Sequence, residues 1–128
     1  MKKVLITGSS GQVGSRLAKS LSMVGFDVIG VGTREISSHA DDYYTYLKFD
    51  LLTQDVDSLI EQIHPDLLIH LAWDGLPNYK SLHHFEAELT KQYHFLKLML
   101  DGGLPSLLVT GTCFEYGMQS GPLMAGMP

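Results

Sequence analysis

Gly8, Gly11 and Gly14 stand at every third position of the segment TGSSGQVG, directly after the apolar run Val4-Leu5-Ile6. Residues without a Cβ let the chain turn sharply off a strand and let a phosphate approach main-chain amides closely. The residues that follow have helical periodicity, so unpaired amides and the positive end of a helix dipole face the same turn. A pyrophosphate suits such a turn, with Thr7, Gly8, Ser10, Gly11, Gln12, Val13 and Gly14 as its expected holders. A tight strand-to-helix connection without a ligand is the plainer alternative. No Lys-Ser or Lys-Thr follows, which excludes a Walker-type nucleoside triphosphatase.

The elements that must position this turn are legible from periodicity. Val13, Leu17, Leu21 and Val24 mark the expected inner face of the first helix, and Gly25 ends it. Strands are expected at 3–7, 26–31, 44–49, 67–72 and 107–110, most of them short apolar runs that suit a sheet covered on both faces. Thr53 is the expected cap of a second helix with Val56, Leu59, Ile60 and Ile63 inward, ended by Pro65. The longest helix is expected to carry Leu82, Phe85, Leu89, Tyr93 or Gln92, Leu96 and Met99 on its inner stripe, stopped by Gly102-Gly103 and Pro105.

Strands alternating with helices imply an α/β fold, a Rossmann-type doubly wound parallel sheet of five strands in order 3-2-1-4-5. Residues 1–128 form one expected domain, with 117–128 as an irregular tail. Ligands of such sheets bind beyond the carboxyl ends of the strands where the order reverses. The glycine turn, Arg34, Asp50, Trp73 and Thr112 each follow a strand, so topology sets them along one crevice.

The glycine spacing, the pair Asp50-Leu51, the segment His70-Leu71-Ala72 and the run Thr110-Gly111-Thr112-Cys113-Phe114-Glu115-Tyr116-Gly117 resemble a known superfamily. It is the short-chain dehydrogenases/reductases, in their extended branch of NAD(P)-dependent sugar-nucleotide epimerases, dehydratases and reductases. The resemblance implies that Asp50 accepts a hydrogen bond from the adenine amino group beside Leu51, a turn aspartate being the alternative. It also implies that Leu71 and Ala72 back the ribose and nicotinamide, with Trp73 in place of a smaller residue and narrowing the crevice. Thr110 is taken with these cofactor residues at the end of the fifth strand. Thr112 takes the place of the Ser or Thr that hydrogen-bonds the substrate's reacting oxygen, and is the one catalytic candidate; a β-branched residue ending a strand is the alternative. His70 reads as a satisfied core histidine, and Glu88 as the replacement of a family Asn.

Gly32 stands where NAD enzymes of this resemblance carry an acid for the ribose 2′-hydroxyl, and Arg34 follows it. A guanidinium pairs a 2′-phosphate in two places, so NADP is expected in preference to NAD. Glu35 turned inward, or a solvated Arg-Glu loop, is the competing reading. The resemblance also calls for Y-x-x-x-K, in which Tyr is the general acid/base and Lys lowers its pKa; no such pair follows Thr112. Tyr44 to Lys48 and Tyr93 to Lys97 have the spacing on an expected strand and on a helix before the fifth strand, both out of place. The resemblance therefore covers the N-terminal, cofactor-binding half of a family member, truncated before the later strands and substrate lobe. An open fifth-strand edge is expected to favour self-association.

Nine Lys plus Arg against fourteen Asp plus Glu give a net charge of −5 without a basic run, which argues against nucleic acid or an anionic membrane as partner. Hydrophobic residues make up 45%, yet the apolar start MKKVLIT stops at Thr7-Gly8, too early for a signal peptide, and no stretch is long enough to span a bilayer. Cys113 is the single cysteine, and a cytoplasmic location follows as the simplest expectation. Six histidines show no metal-ligand spacing, so no metal site is expected; His84 and Glu88, four apart, fit a surface contact equally well. Two functions fit: the dinucleotide-binding part of a sugar-nucleotide enzyme, which meets its nucleotide sugar only in full-length context, or a noncatalytic dinucleotide-binding or interaction module.

Overall fold

β1 (Lys3–Thr7) is the central strand, with Val4, Leu5 and Ile6 almost wholly buried. A computed structural model of the chain describes residues 2–35, 44–51, 55–72 and 88–110. After β1 come α1 (Gln12–Met23), β2 (Asp27–Gly32), β3 (Thr45–Lys48), α2 (Val56–Ile63), β4 (Leu67–His70), α3 (Leu89–Asp101) and β5 (Ser106–Val109). The five strands form one sheet in the expected order β3-β2-β1-β4-β5, every pairing parallel.

Alternation along the strands supplies two cores. Leu5, Val31 and Leu68 pack with Leu59, Ile60 and Ile63 of α2 and with Phe95 and Met99 of α3. Val4, Ile6, Val28 and Ile69 face the other way, onto Ala18 of α1. Register sets Thr7 between Val31 of β2 and His70 of β4, so three strand ends meet where the order reverses.

The helices correct the expected faces in informative ways. Gly14 and Ala18 are buried on α1, with Leu17 and Leu21 packed beside them, whereas Val13 is 67% and Val24 72% exposed. Gly14 sits against the backbone of the glycine turn and Ala18 packs among Val4, Ile6, Val28 and Ile69, so small residues share the contact line with Leu17 and Leu21, which apolar spacing does not reveal. On α3 the inner residues are Gln92, Phe95 and Met99, while Leu89 and Tyr93 lie on the exposed face. The cap of α2 is Asp55, whose Oδ1 accepts from the backbone N–H of Asp57 at 3.0 Å. Ser58 donates its hydroxyl to Asp55 Oδ2 at 2.8 Å, and these bonds hold the Asp55 carboxyl below the ordinary range. Thr53, Leu82, Phe85 and the segment 117–128 lie outside the described residues.

Candidate functional site

Local geometry assigns each glycine of the turn its own task. Gly8 adopts φ +69°, the left-handed region that favours glycine, and carries the chain off β1. Gly11 caps α1 without a side-chain bond, and no acidic residue stands in the first helical turn. The first amides of α1 therefore face the turn without an intrahelical acceptor, and no carboxylate of the helix's own first turn competes for them. A Cβ on Gly14 would meet the Gly8 carbonyl oxygen and stand 2.8 Å from the Ser9 Cα, so the third glycine lets the helix seat on the turn. Ser9 is fully buried, and its N–H donates to the Val31 carbonyl at 3.3 Å, pinning the turn to β2.

This turn opens onto a crevice of about 530 Å³ at the carboxyl ends of the strands. Of the expected residues, Thr7, Gly8, Ser10, Gly11, Arg34, Asp50, Leu51, Leu71 and Ala72 line it. Gln12, Val13 and Gly14 begin α1, are not among the crevice's lining residues, and bear on it through their main-chain amides. Thr110 also stands outside, its N–H donating to the His70 carbonyl at 3.4 Å and so tying β5 to β4. Trp73 and Thr112 lie outside the described residues.

Sequence reasoning missed several wall residues, among them Phe49, Gln92 and Thr33. It also missed Tyr46, whose hydroxyl donates to the Arg34 carbonyl at 2.8 Å. That hydroxyl stands 2.8 Å from where a Cβ on Gly32 would be, so β3 fills the space above the glycine. Strand alternation could have indicated this, because Tyr46 follows Tyr44 by two residues on the same face. Glu35 points elsewhere: its carboxylate pairs with Lys48 Nζ at 2.7 Å, both groups exposed. Their mutual hydrogen bond holds the Glu35 carboxyl below, and the Lys48 ammonium above, its ordinary range.

A polar line runs behind the crevice. Thr7 Oγ1 lies 2.8 Å from His70 Nδ1, His70 Nε2 bonds Gln92 Oε1, and Gln92 Nε2 donates to Glu88 Oε2 at 2.8 Å. Burial pushes the His70 pKa down from 6.5, and the Phe95 ring packs on it at 5.4 Å. His70 is thus the hydrogen-bonded core histidine that its place on a buried strand suggested. Among the described residues no group of three His, Cys, Asp or Glu side chains could hold a metal ion, and no helix is long and apolar enough to cross a membrane.

A family model described as NAD dependent epimerase/dehydratase family matches residues 4–125. The chain belongs to that family. This epimerase/dehydratase chain is 30% identical to dTDP-6-deoxy-L-talose 4-dehydrogenase (NAD(+)) of Aggregatibacter actinomycetemcomitans, over 98% of its own length and 47% of the relative's. A UDP-glucose 4-epimerase of Mycolicibacterium smegmatis matches at 30% identity over 55% of the chain and 25% of the relative. Among solved structures, the Bordetella bronchiseptica enzyme WbmH in complex with NAD+ superposes with a TM-score of 0.77 at 24% identity, over 100% of this chain and 46% of that one. The UDP-glucose 4-epimerase of Bifidobacterium longum in complex with NAD+ and UDP gives a TM-score of 0.79 at 20% identity, over 99% and 42%. These likenesses speak for the fold. The epimerase/dehydratase chain spans 47% of the dehydrogenase and 46% of WbmH, less than half of either.

Proposed function

We propose that this chain is the dinucleotide-binding part of a sugar-nucleotide epimerase, dehydratase or reductase. The observation that carries the reading is a glycine turn and helix start opening onto a crevice at the point where strand order reverses. The fit is physical: Gly8 supplies the left-handed turn, and the amides of α1 supply donors for the pyrophosphate. Gly11 leaves the approach open, and Asp50 with Leu51, which line the crevice, would form the adenine end. Leu71 and Ala72 would back the ribose and nicotinamide, and Trp73 would narrow that end. Gln12, Val13 and Gly14 contribute main chain, while Thr110 acts by holding β5 beside β4.

The family description and relatives' names speak for NAD, while the ribose end of this chain supports NADP. Tyr46 fills the space above Gly32, Glu35 is turned to Lys48, and Arg34 lines the crevice. A 2′-phosphate would meet a guanidinium there and no competing carboxylate from Glu35. When bound, the nicotinamide would exchange a hydride with a sugar carbon, and Thr112 would position the sugar's reacting hydroxyl. The single cysteine, Cys113, supports a reducing compartment such as the cytosol. Calorimetry with NADP and NAD tests the reading. NADP is expected to bind more tightly and to lose that advantage in Arg34→Ala; no binding of either dinucleotide would overturn the proposal, and tighter NAD binding unaffected by Arg34→Ala would overturn its NADP part.

A further inference from the structure

Thr7, His70, Gln92 and Glu88 come from three segments, yet each is at least nine-tenths buried, at 0%, 5%, 6% and 0% exposure. The direction of every hydrogen bond along their line follows from one end. Thr7 Oγ1 accepts from the Leu71 N–H at 3.0 Å and from the Ala72 N–H at 3.2 Å. Both its lone pairs are then used, so its own proton goes to His70 Nδ1. The neutral imidazole therefore carries its proton on Nε2 and donates to Gln92 Oε1, which leaves the Gln92 amide nitrogen to donate to Glu88 Oε2. A donor meets an acceptor at every step. A carboxamide does not pass protons on, so the line is a clamp and not a proton path.

We propose that Gln92 is a positioning residue: with its amide nitrogen committed to Glu88 Oε2, it turns Oε1 to His70 Nε2 and so favours, from the opposite end of the line, the same tautomer that takes the Thr7 proton. The Thr7 hydroxyl is thereby held as the acceptor that fixes the Leu71 and Ala72 backbone in the crevice wall. With the proton on Nδ1 instead, the ring would be a third donor at a hydroxyl with two lone pairs. The Thr7 proton would lose its acceptor, and the Leu71 or Ala72 amide would have to yield. β4 stops at His70 for the same reason, because the next two amides bond a side chain. Glu88 is the charged group whose field reaches the ring, across Gln92.

The clamp stands without any ligand, while its effect on affinity rests on the dinucleotide reading. Nitrogen-15 NMR of the histidine-labelled chain reads the tautomer directly. A neutral Nε2–H form of His70 near neutral pH is expected, and an Nδ1–H form or an imidazolium overturns the proposal. Gln92→Met keeps the bulk and removes the amide; it is expected to release the second tautomer and to speed hydrogen exchange at Leu71 and Ala72 about tenfold, the factor for one hydrogen bond. Unchanged tautomer and exchange in a folded Gln92→Met chain overturn the proposal. If that variant fails to fold, the wild-type tautomer alone decides. Dinucleotide affinity is expected to fall about tenfold with the exchange change. Faster exchange at unchanged affinity would remove the link to binding, and a wild-type chain that binds no dinucleotide would sink the dinucleotide reading while tautomer and exchange still judge the clamp.

Discussion

Gly14→Ala and Gly11→Ala are the same substitution in one short loop, and the structure expects them to fail differently. A Cβ on Gly14 would stand 2.8 Å from the Ser9 Cα and 2.9 Å from the Gly8 carbonyl carbon, closer than the 3.0 Å below which real Cβ atoms essentially never stand. Those atoms are backbone, and Ser9 is pinned to Val31, so α1 or the turn must move as a unit. Overpacking of this kind costs about 1–3 kcal/mol, and the better helix propensity of Ala offsets about 1 kcal/mol. A net loss of up to about 2 kcal/mol is expected, together with weaker dinucleotide binding because the turn is displaced. A Cβ on Gly11 stands 3.4 Å from the Gly8 oxygen, at an ordinary backbone conformation. Gly11→Ala should cost about 0.5–1 kcal/mol, the loss of a favourable N-cap residue, and lose binding chiefly by crowding the phosphate approach. Urea unfolding gives the stability, with an unchanged slope securing the comparison, and calorimetry gives the affinity. Gly11→Ala proving the more destabilised of the pair, or Gly14→Ala matching wild type in both assays, would refute the reasoning.

Stability should carry a pH signature from His70. Burial lowers its folded pKa below 6.5, so its contribution is complete above about pH 6.5 and is lost as pH falls towards the folded value, by at most about 1.4 kcal/mol per pH unit. Urea unfolding on both sides of that pH should show a steeper acid loss in wild type than in His70→Asn, and equal slopes would refute it. The β5 edge exposes Leu108 at 49% and Val109 at 50%, so light scattering should find self-association, and a stable monomer at high micromolar concentration would count against it. The chain alone should turn over no nucleotide sugar, because a Thr112 hydroxyl is too weak a base near neutral pH and no Y-x-x-x-K follows it. Turnover abolished by Tyr93→Phe or Tyr44→Phe would reverse that expectation.

Sequence by itself determined the elements whose signals are local. The glycine spacing, the apolar strands and their alternation with helices sufficed for the parallel order β3-β2-β1-β4-β5 and for the crevice at its reversal. Backbone period and turn chemistry are written in neighbouring residues, so they survive the loss of all tertiary information. Tertiary structure decided which side chains the elements turn to one another. Gly14 and Ala18 stand on the inner line of α1, where a Cβ on Gly14 would meet the backbone of the turn, and Asp55 caps α2 because its carboxylate reaches the Asp57 amide. Tyr46 occupies the space above Gly32 only because β3 pairs with β2 in that register. The Thr7-His70-Gln92-Glu88 line bonds residues directly across as many as 63 positions, and a polar side chain finds a buried role only when distant segments bring it a partner that repays its desolvation.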